Sequence, residues 1–360
     1  MTGPAGGDGL PEPVDNLGTL EGYHSPQVPV EVRLNTNESP FPPPPEFVKD
    51  LAASVGAAVY HRYPDRSYRR LRAALAELHG VAPDQIFCAN GSNEVLQTLF
   101  LTYGGAGRSA AVFEPTYAMH SQIGLVTGTT MAVGQRDDDF LLPIDEVRRV
   151  VREAHPSLTF VCSPNNPTGR VETKDMVHDV LAIAQGLTVV DEAYGQFASW
   201  SAVSLVADDV PLVVTRTYSK TWSMAGMRLG YLIGPAPVVA ELDKRVLPYH
   251  LDVVKQTAGI LALQHTDAME ARVGALVAER ERVAAALAER PVDIWPSEAN
   301  FILFRPRARG GDDVWRGLVE RSVLIRNCDT WPRLQGCLRV TIGTPEEDDR
   351  FLSALDEVLA

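Results

Sequence analysis

Apolar and polar positions follow two rhythms along the chain. In residues 67–79, Tyr68, Leu71, Leu75 and Leu78 recur at helical spacing, and Gly80 can end the helix. From there to about residue 235, short apolar runs alternate with helical stretches. The clearest runs cover residues 109–113, 158–162, 187–190 and 212–215. This alternation predicts an α/β fold with a large, doubly wound, mostly parallel sheet. Ligands of such sheets gather at the carboxyl ends of the strands. Asn166, Asp191 and Lys220 each follow soon after an apolar run.

The last third changes rhythm. Residues 268–289 read as one long amphipathic helix through Val273, Leu276, Val283 and Leu287. Two short strands are predicted after it, over 322–326 and 337–342. In the second, Leu338, Val340 and Ile342 share one face, and Arg339 with Thr341 the other. Arg339 is therefore expected to point away from the core, and an antiparallel pairing would bring Arg326 close to it. Thr344 to Glu347 forms a capping box with Pro345 at the first helical position. This part reads as a smaller α+β domain. Towards the start, residues 1–20 are rich in Gly and Pro and read as mobile, and 42–45 as a stiff extended segment. The expected division is an arm of residues 1–30, a large domain of 59–251, and a small domain of 31–58 with 252–360.

Composition narrows the function classes. The chain has 360 residues, 45% of them hydrophobic, enough for a large core. No apolar run approaches a membrane span, and the first residues do not read as a signal peptide. Four widely spaced cysteines fit no zinc pattern, so reduced thiols in the cytoplasm are the simplest expectation and no metal is expected. A formal charge of −13 disfavours nucleic acid or an anionic membrane as a partner. An anionic ligand would need a local cluster of arginines.

Candidate chemistry centres on Lys220 in the string TYSK, with Arg228 eight residues later in AGMRLG. Upstream stand DEAY, with Asp191 and Tyr194, and SPNNPTG, with Asn166. Taken singly, each has a plain structural explanation: a surface lysine, a loop-capping aspartate, a turn. Together and in this order they meet the needs of a pyridoxal-phosphate site. A lysine amine joins the aldehyde, and an aspartate keeps the pyridine nitrogen protonated. Asn166 and Tyr194 bond the ring oxygen, and Arg228 meets the phosphate. Ser92 and Asn93, before a helix expected to start near Glu94, are further phosphate candidates with Thr217 and Ser219. Tyr117 could stack on the ring.

The constellation resembles the fold-type-I aminotransferases. Within them the chain is similar to the histidinol-phosphate aminotransferase family. The resemblance rests on RLNTNESP (33–40), HRYPD (61–65), GSNE, EPTY, SPNNPTG, DEAY, TYSK with AGMRLG, LPYH (247–250), PSEANFI (296–302) and GCLRVTIGTPEE (336–347). It implies transfer of an amino group from L-histidinol phosphate to 2-oxoglutarate by a pyridoxal-phosphate enzyme. It also implies a homodimer in which Tyr63 reaches the partner's cofactor phosphate and Tyr23 lies near the substrate phosphate. Arg339, assisted by Arg326, would hold the substrate's carboxylate or phosphate. Relatives on the same frame include aromatic-amino-acid aminotransferases and threonine-phosphate decarboxylase. A non-catalytic cofactor-binding regulator would need an attached DNA-binding module, for which residues 1–30 are too short and too acidic.

Overall fold

The computed structural model describes residues 27–360. After β1 (Val32–Leu34), the chain forms α1 (Pro45–Gly56) and α2 (Arg69–His79), then β2 (Ile86–Ala89) and α3 (Ser92–Tyr103). There follow β3 (Ser109–Glu114), α4 (Met119–Val126), β4 (Thr130–Gln135), α5 (Ile144–Ala154), β5 (Leu158–Cys162) and α6 (Lys174–Ile183). β6 (Leu187–Asp191), β7 (Leu212–Thr217) and β8 (Gly230–Ile233) complete a seven-stranded sheet of order β2-β8-β7-β6-β5-β3-β4. Only β8 runs against its neighbours. The four predicted runs are β3, β5, β6 and β7, within one or two residues at their ends.

Why those runs are apolar throughout is visible in the packing. Ala110, Val112, Leu158, Phe160, Val189 and Val213 point into one core, shared with α3 and α4. Ala111, Phe113, Val161, Val190 and Val214 point into another, shared with α5 and α6. A sheet covered on both faces has no polar side to show. Every parallel strand therefore ends at the same edge, and the loops leaving β2, β3, β5, β6 and β7 meet there.

α7 (Ala236–Leu242) packs on the large sheet, and the rest of the chain adds α8 (Val253–Leu263), α9 (Thr266–Ala288), β9 (Val292–Ile294), β10 (Phe301–Pro306), α10 (Gly311–Glu320), β11 (Val323–Asn327), β12 (Leu338–Thr341) and α11 (Pro345–Leu359). A five-stranded sheet of order β1-β11-β12-β10-β9 results. Two strands were expected here, and β11 and β12 are those two. β10 escaped because Phe301 to Phe304 are all buried, which removes the alternation that marks a half-covered strand. β1 was missed because three residues are too few to show a rhythm. The segment read as extended over 42–45 ends one residue earlier, since Pro45 takes the first position of α1. The capping box at the start of α11 forms as read, with the Thr344 hydroxyl and the Glu347 carboxylate each meeting the other's backbone N–H.

We propose the division into residues 59–251 and 31–58 with 252–360. Its seam passes through a shared core, in which Phe47 of α1 and Ala258 of α8 pack with Leu71 of α2 and Tyr231 of β8. The reading of residues 1–26 as part of an arm lies outside the described residues. Among the described residues no helix is long and apolar enough to cross a membrane. Cys88, Cys162, Cys328 and Cys337 are all free and buried, and burial raises each thiol's pKa, to about 12 for Cys162 and Cys328.

One close approach fixes how α3 sits on the sheet. A Cβ on Gly230 would lie 2.3 Å from the Ser92 nitrogen and 2.5 Å from the Gly91 carbonyl carbon, both backbone atoms that cannot swing aside. Gly230→Ala is therefore expected to cost about 2 kcal/mol, the usual size of an overpacking penalty. Urea melts of the two proteins measure it, and equal midpoints would refute the close packing.

Candidate active site

The strand ends of the large sheet and one face of the small sheet enclose a cavity of ≈ 360 Å³. Ser92, Asn93, Tyr117, Asn166, Asp191 and Tyr194 line it, as do Thr217, Ser219, Lys220, Arg228, Arg326 and Arg339. These twelve residues were nominated from sequence, and they lie on loops, on strands and at the start of α3, separated by up to 247 positions (339 minus 92). Two others do not join them. Tyr63 is 79% exposed and stacks on Tyr249 at 4.4 Å. Tyr23 lies outside the described residues.

Lys220 stands three residues past β7. Its amine donates to the Thr36 carbonyl at 3.0 Å and lies 5.9 Å from the Tyr194 ring centre. The residue keeps some exposed surface because it lines the cavity, but its amine sits deep among protein atoms. Burial pushes the ammonium pKa down to about 8; Arg339 and Arg228 push the same way, and Glu38 opposes them. A lysine so placed is a competent nucleophile near neutral pH.

Asp191 closes β6 and is almost wholly buried. One carboxylate oxygen accepts from the Thr215 hydroxyl and the Ala193 N–H, each at 3.1 Å. The other faces Nε2 of His120 at 2.9 Å. Facing a carboxylate, Nε2 must carry the hydrogen. His120 is fully buried on α4, stacked on Phe160 at 4.8 Å, with Tyr117 edge-on at 5.5 Å. It thus holds the orientation of Asp191, whose carboxylate lines the cavity. Sequence reasoning missed His120. The available signal was its place three residues after Tyr117, one helical turn on in EPTYAMH.

At the other end of the cavity α3 begins at Ser92, not Glu94, and its N-cap, Gly91, offers no side-chain cap. Gly91 has φ +86°, and a Cβ there would lie 2.7 Å from the Arg228 guanidinium. Ser219 Oγ accepts from Thr217 Oγ1 at 3.0 Å and from Arg228 at 3.4 Å. An uncapped helix start, two hydroxyls and a guanidinium form a cradle for a phosphate group. Tyr117 donates to the Asn93 side chain at 3.1 Å, which fixes the ring beside that cradle. Amine, buried carboxylate and phosphate cradle are the three things pyridoxal phosphate requires, so the donor set fits it.

The small sheet supplies the remaining wall. Arg326 and Arg339 are direct partners across the antiparallel pair β11–β12. Arg339 turns from the core of Leu338, Val340 and Ile342 as expected, yet it is only 5% exposed. The expectation that it simply points outward is corrected: the large sheet's loops cover that face. Its guanidinium donates to the Asn166 side-chain oxygen and to the Asn35 carbonyl at 3.0 Å, and lies 5.1 Å from the Phe301 ring centre. Tyr194 accepts from the Asn37 amide at 2.8 Å, and burial raises its phenol pKa to about 12. Thr36, Asn37 and Glu38 also line the cavity; their string had been noted, but no role was drawn from it.

Comparison with known proteins agrees with this arrangement. Residues 29–355 match the family model described as aminotransferase class I and II. The histidinol-phosphate aminotransferase of Corynebacterium diphtheriae is 41% identical over 346 residues, covering 93% of each chain. That of Mycolicibacterium smegmatis is 44% identical over 351 residues, covering 94% of this chain and 91% of the relative. Among solved structures, the histidinol-phosphate aminotransferase of Sinorhizobium meliloti in complex with pyridoxal-5'-phosphate superposes with a TM-score of 0.84 at 22% identity, over 92% of this chain and 91% of that one. At that identity the likeness concerns the fold.

The lowered Lys220 pKa has a measurable sign. The neutral amine is the nucleophile, so its population climbs as pH rises through about 8, where an ordinary lysine would wait for 10.5. Capture of pyridoxal phosphate by cofactor-free protein, followed by absorbance, should therefore accelerate up to about pH 8 and then level off. A rate still climbing beyond pH 10 would show an unperturbed amine.

Proposed function

The chain belongs to the class I and II aminotransferases, and on that premise we propose that it moves the amino group of L-histidinol phosphate to 2-oxoglutarate. The products are imidazole-acetol phosphate and L-glutamate, a step of histidine biosynthesis. Relatives of this name at 41–44% identity over nearly the whole chain support the reading. The observation that carries it is the Arg326–Arg339 pair on adjacent strands at one end of the cavity. Two guanidinium groups suit a phosphate dianion, whereas one suffices for a carboxylate. Four cationic side chains line the cavity (Lys220, Arg228, Arg326, Arg339) against two carboxylates (Glu38, Asp191), in a protein of formal charge −13. That local reversal attracts an anionic substrate.

Pyridoxal phosphate, when bound, supplies an electron sink for the bond broken at the substrate's α-carbon. Lys220 would hold it by its amine, and Ser92, Asn93, Thr217, Ser219 and Arg228 by its phosphate. Asp191, oriented by His120, would keep a proton on the ring nitrogen. Asn166 and Tyr194 would donate to the ring oxygen, and Tyr117 would lie against the ring. Arg339 clamps the substrate's anionic end, which places the α-hydrogen before Lys220. Lys220, its amine released when the substrate's amine takes its place, would accept that proton and return it on the other side of the exchange.

Tyr63 supports the proposal of a homodimer. It is exposed, as are Val59, Tyr60 and Leu247, and large apolar side chains left at a surface suit a contact with a second copy. In a dimer Tyr63 would reach the partner's phosphate cradle. We place the enzyme in the cytoplasm and without a metal.

Three measurements test these readings. Steady-state kcat/KM for histidinol phosphate, phenylalanine and tyrosine, each with 2-oxoglutarate, should favour histidinol phosphate; a preference for phenylalanine would make the enzyme an aromatic-amino-acid aminotransferase. In the same assay Arg339→Ala should impair histidinol phosphate and glutamate alike. Arg326→Ala should cost histidinol phosphate about 2 kcal/mol more than glutamate, the size of a charged hydrogen bond. Sedimentation at working concentration should give a dimer, and Tyr63→Phe should weaken cofactor retention without dissociating it. A fully active monomer would refute the shared site.

A further inference from the structure

Three buried polar side chains form a run of hydrogen bonds that ends on Tyr194. Asn37, Asn300 and Thr341 are each at most 3% exposed. Asn37 stands three residues past β1, Asn300 directly precedes β10, and Thr341 closes β12 two residues after Arg339. The Asn37 backbone is left-handed at φ +53°, a conformation asparagine tolerates better than most residues. The Asn300 amide holds that turn by donating to the Asn37 carbonyl at 3.2 Å. The Asn37 backbone N–H donates to Thr341 Oγ1 at 3.0 Å, and Thr341 Oγ1 donates to Asn37 Oδ1 at 3.1 Å. Asn37 Nδ2 in turn donates to Tyr194 Oη at 2.8 Å. The Tyr194 ring lies edge-on to Phe301, with 5.0 Å between ring centres.

Donor and acceptor roles follow one from the next along this run. A backbone N–H can only donate, so Thr341 Oγ1 accepts it. The Thr341 hydroxyl hydrogen then goes to Asn37 Oδ1, which can only accept. That fixes the rotation of the Asn37 amide and turns its NH₂ group to Tyr194. Receiving that donor, Tyr194 Oη keeps its one hydrogen for a different acceptor, and Tyr194 lines the cavity. We infer that Asn37, locked by Thr341, is a positioning residue that directs the Tyr194 hydroxyl hydrogen at the ring oxygen of pyridoxal phosphate. The inference rests on the reading of Tyr194 as a donor to that oxygen, and not on which amino donor the enzyme takes. A phenol oriented in advance gives up less rotational freedom when the bond forms. A hydroxyl that accepts one hydrogen bond is also the stronger donor of the next. Thr341 and Arg339 share one face of β12, so the strand that clamps the substrate also sets the donor at the cofactor.

The test follows the absorbance of the holoenzyme against pH. Bound pyridoxal phosphate changes its absorbance as the proton beside its ring oxygen is lost, and a hydrogen bond donated to that oxygen favours the loss. Tyr194→Phe removes the donor and should move the transition to higher pH by about one unit, the equivalent of one hydrogen bond to a charged group. Thr341→Val leaves the Asn37 amide free to turn its oxygen to Tyr194, where it captures the phenol hydrogen. It should move the transition upward by most of the Tyr194→Phe shift. Thr341→Ser keeps the hydroxyl and should hold the wild-type value. Arg339, Asp191, Cys162 and Lys220, the titratable groups that face Tyr194, are the same in all three variants. Should Thr341→Val fail to fold, Asn37→Gly suits the left-handed backbone and removes the amide. It should also raise the transition pH, by less than Tyr194→Phe does. A shift in Tyr194→Phe with none in Thr341→Val or in its Asn37→Gly substitute would overturn the inference. So would a Thr341→Ser shift as large as that of Thr341→Val. No shift in Tyr194→Phe would overturn the reading of Tyr194 itself, and the inference with it.

Discussion

A buried guanidinium must find acceptors or destabilise the fold, and Arg339 meets that constraint by drawing three distant stretches together. Its partners are Asn166 on a loop of the large sheet and the carbonyl of Asn35, just beyond β1. β1 itself pairs with β11 by Val32, Arg33 and Leu34, so the first strand of the described residues is locked into the small sheet. The cavity exists because these elements meet around charged groups rather than around a continuous apolar core. Removing one member of such a set leaves an unpaired charge, a larger penalty than the contact alone would suggest. The walls of the site and the junction of the two sheets are thus one physical object.

The same economy runs through the opposite wall. Asp191 serves as strand end, as acceptor for Thr215 and Ala193, and as partner of His120. None of these contacts uses a long flexible side chain, so the carboxylate has little freedom left to lose. Lys220 contrasts with it. Its chain is long and its amine has a single carbonyl contact at 3.0 Å, which leaves it free to swing between partners. Fixed acid and mobile amine divide the work between positioning and proton transfer.

How much of this could be read from the chain depended on local rhythm. β3, β5, β6 and β7 announced themselves because a sheet covered on both faces demands unbroken apolar runs. The residues that follow those runs, Asn166, Asp191 and Lys220, could then be placed at one edge by topology alone. The antiparallel meeting of Arg326 with Arg339 followed from two short runs and a turn between them. β8 and β10 were harder: the first is four residues long and the second is apolar without alternation. His120 was invisible because a histidine on an apolar helix reads as core until its partner is known, and the partner lies 71 positions away. The burial of Arg339 was likewise out of reach, since a period-two pattern tells which face a residue takes but not what covers that face.

Four thiols lie inside the protein, each with a pKa raised above its ordinary value by burial. At neutral pH almost none of any of them is thiolate, the form that reacts with alkylating reagents. A cysteine introduced on the outer surface would therefore be the one fast-reacting thiol of the chain. Fluorophores, spin labels or surface linkers could be attached there one per chain, without first replacing any native residue.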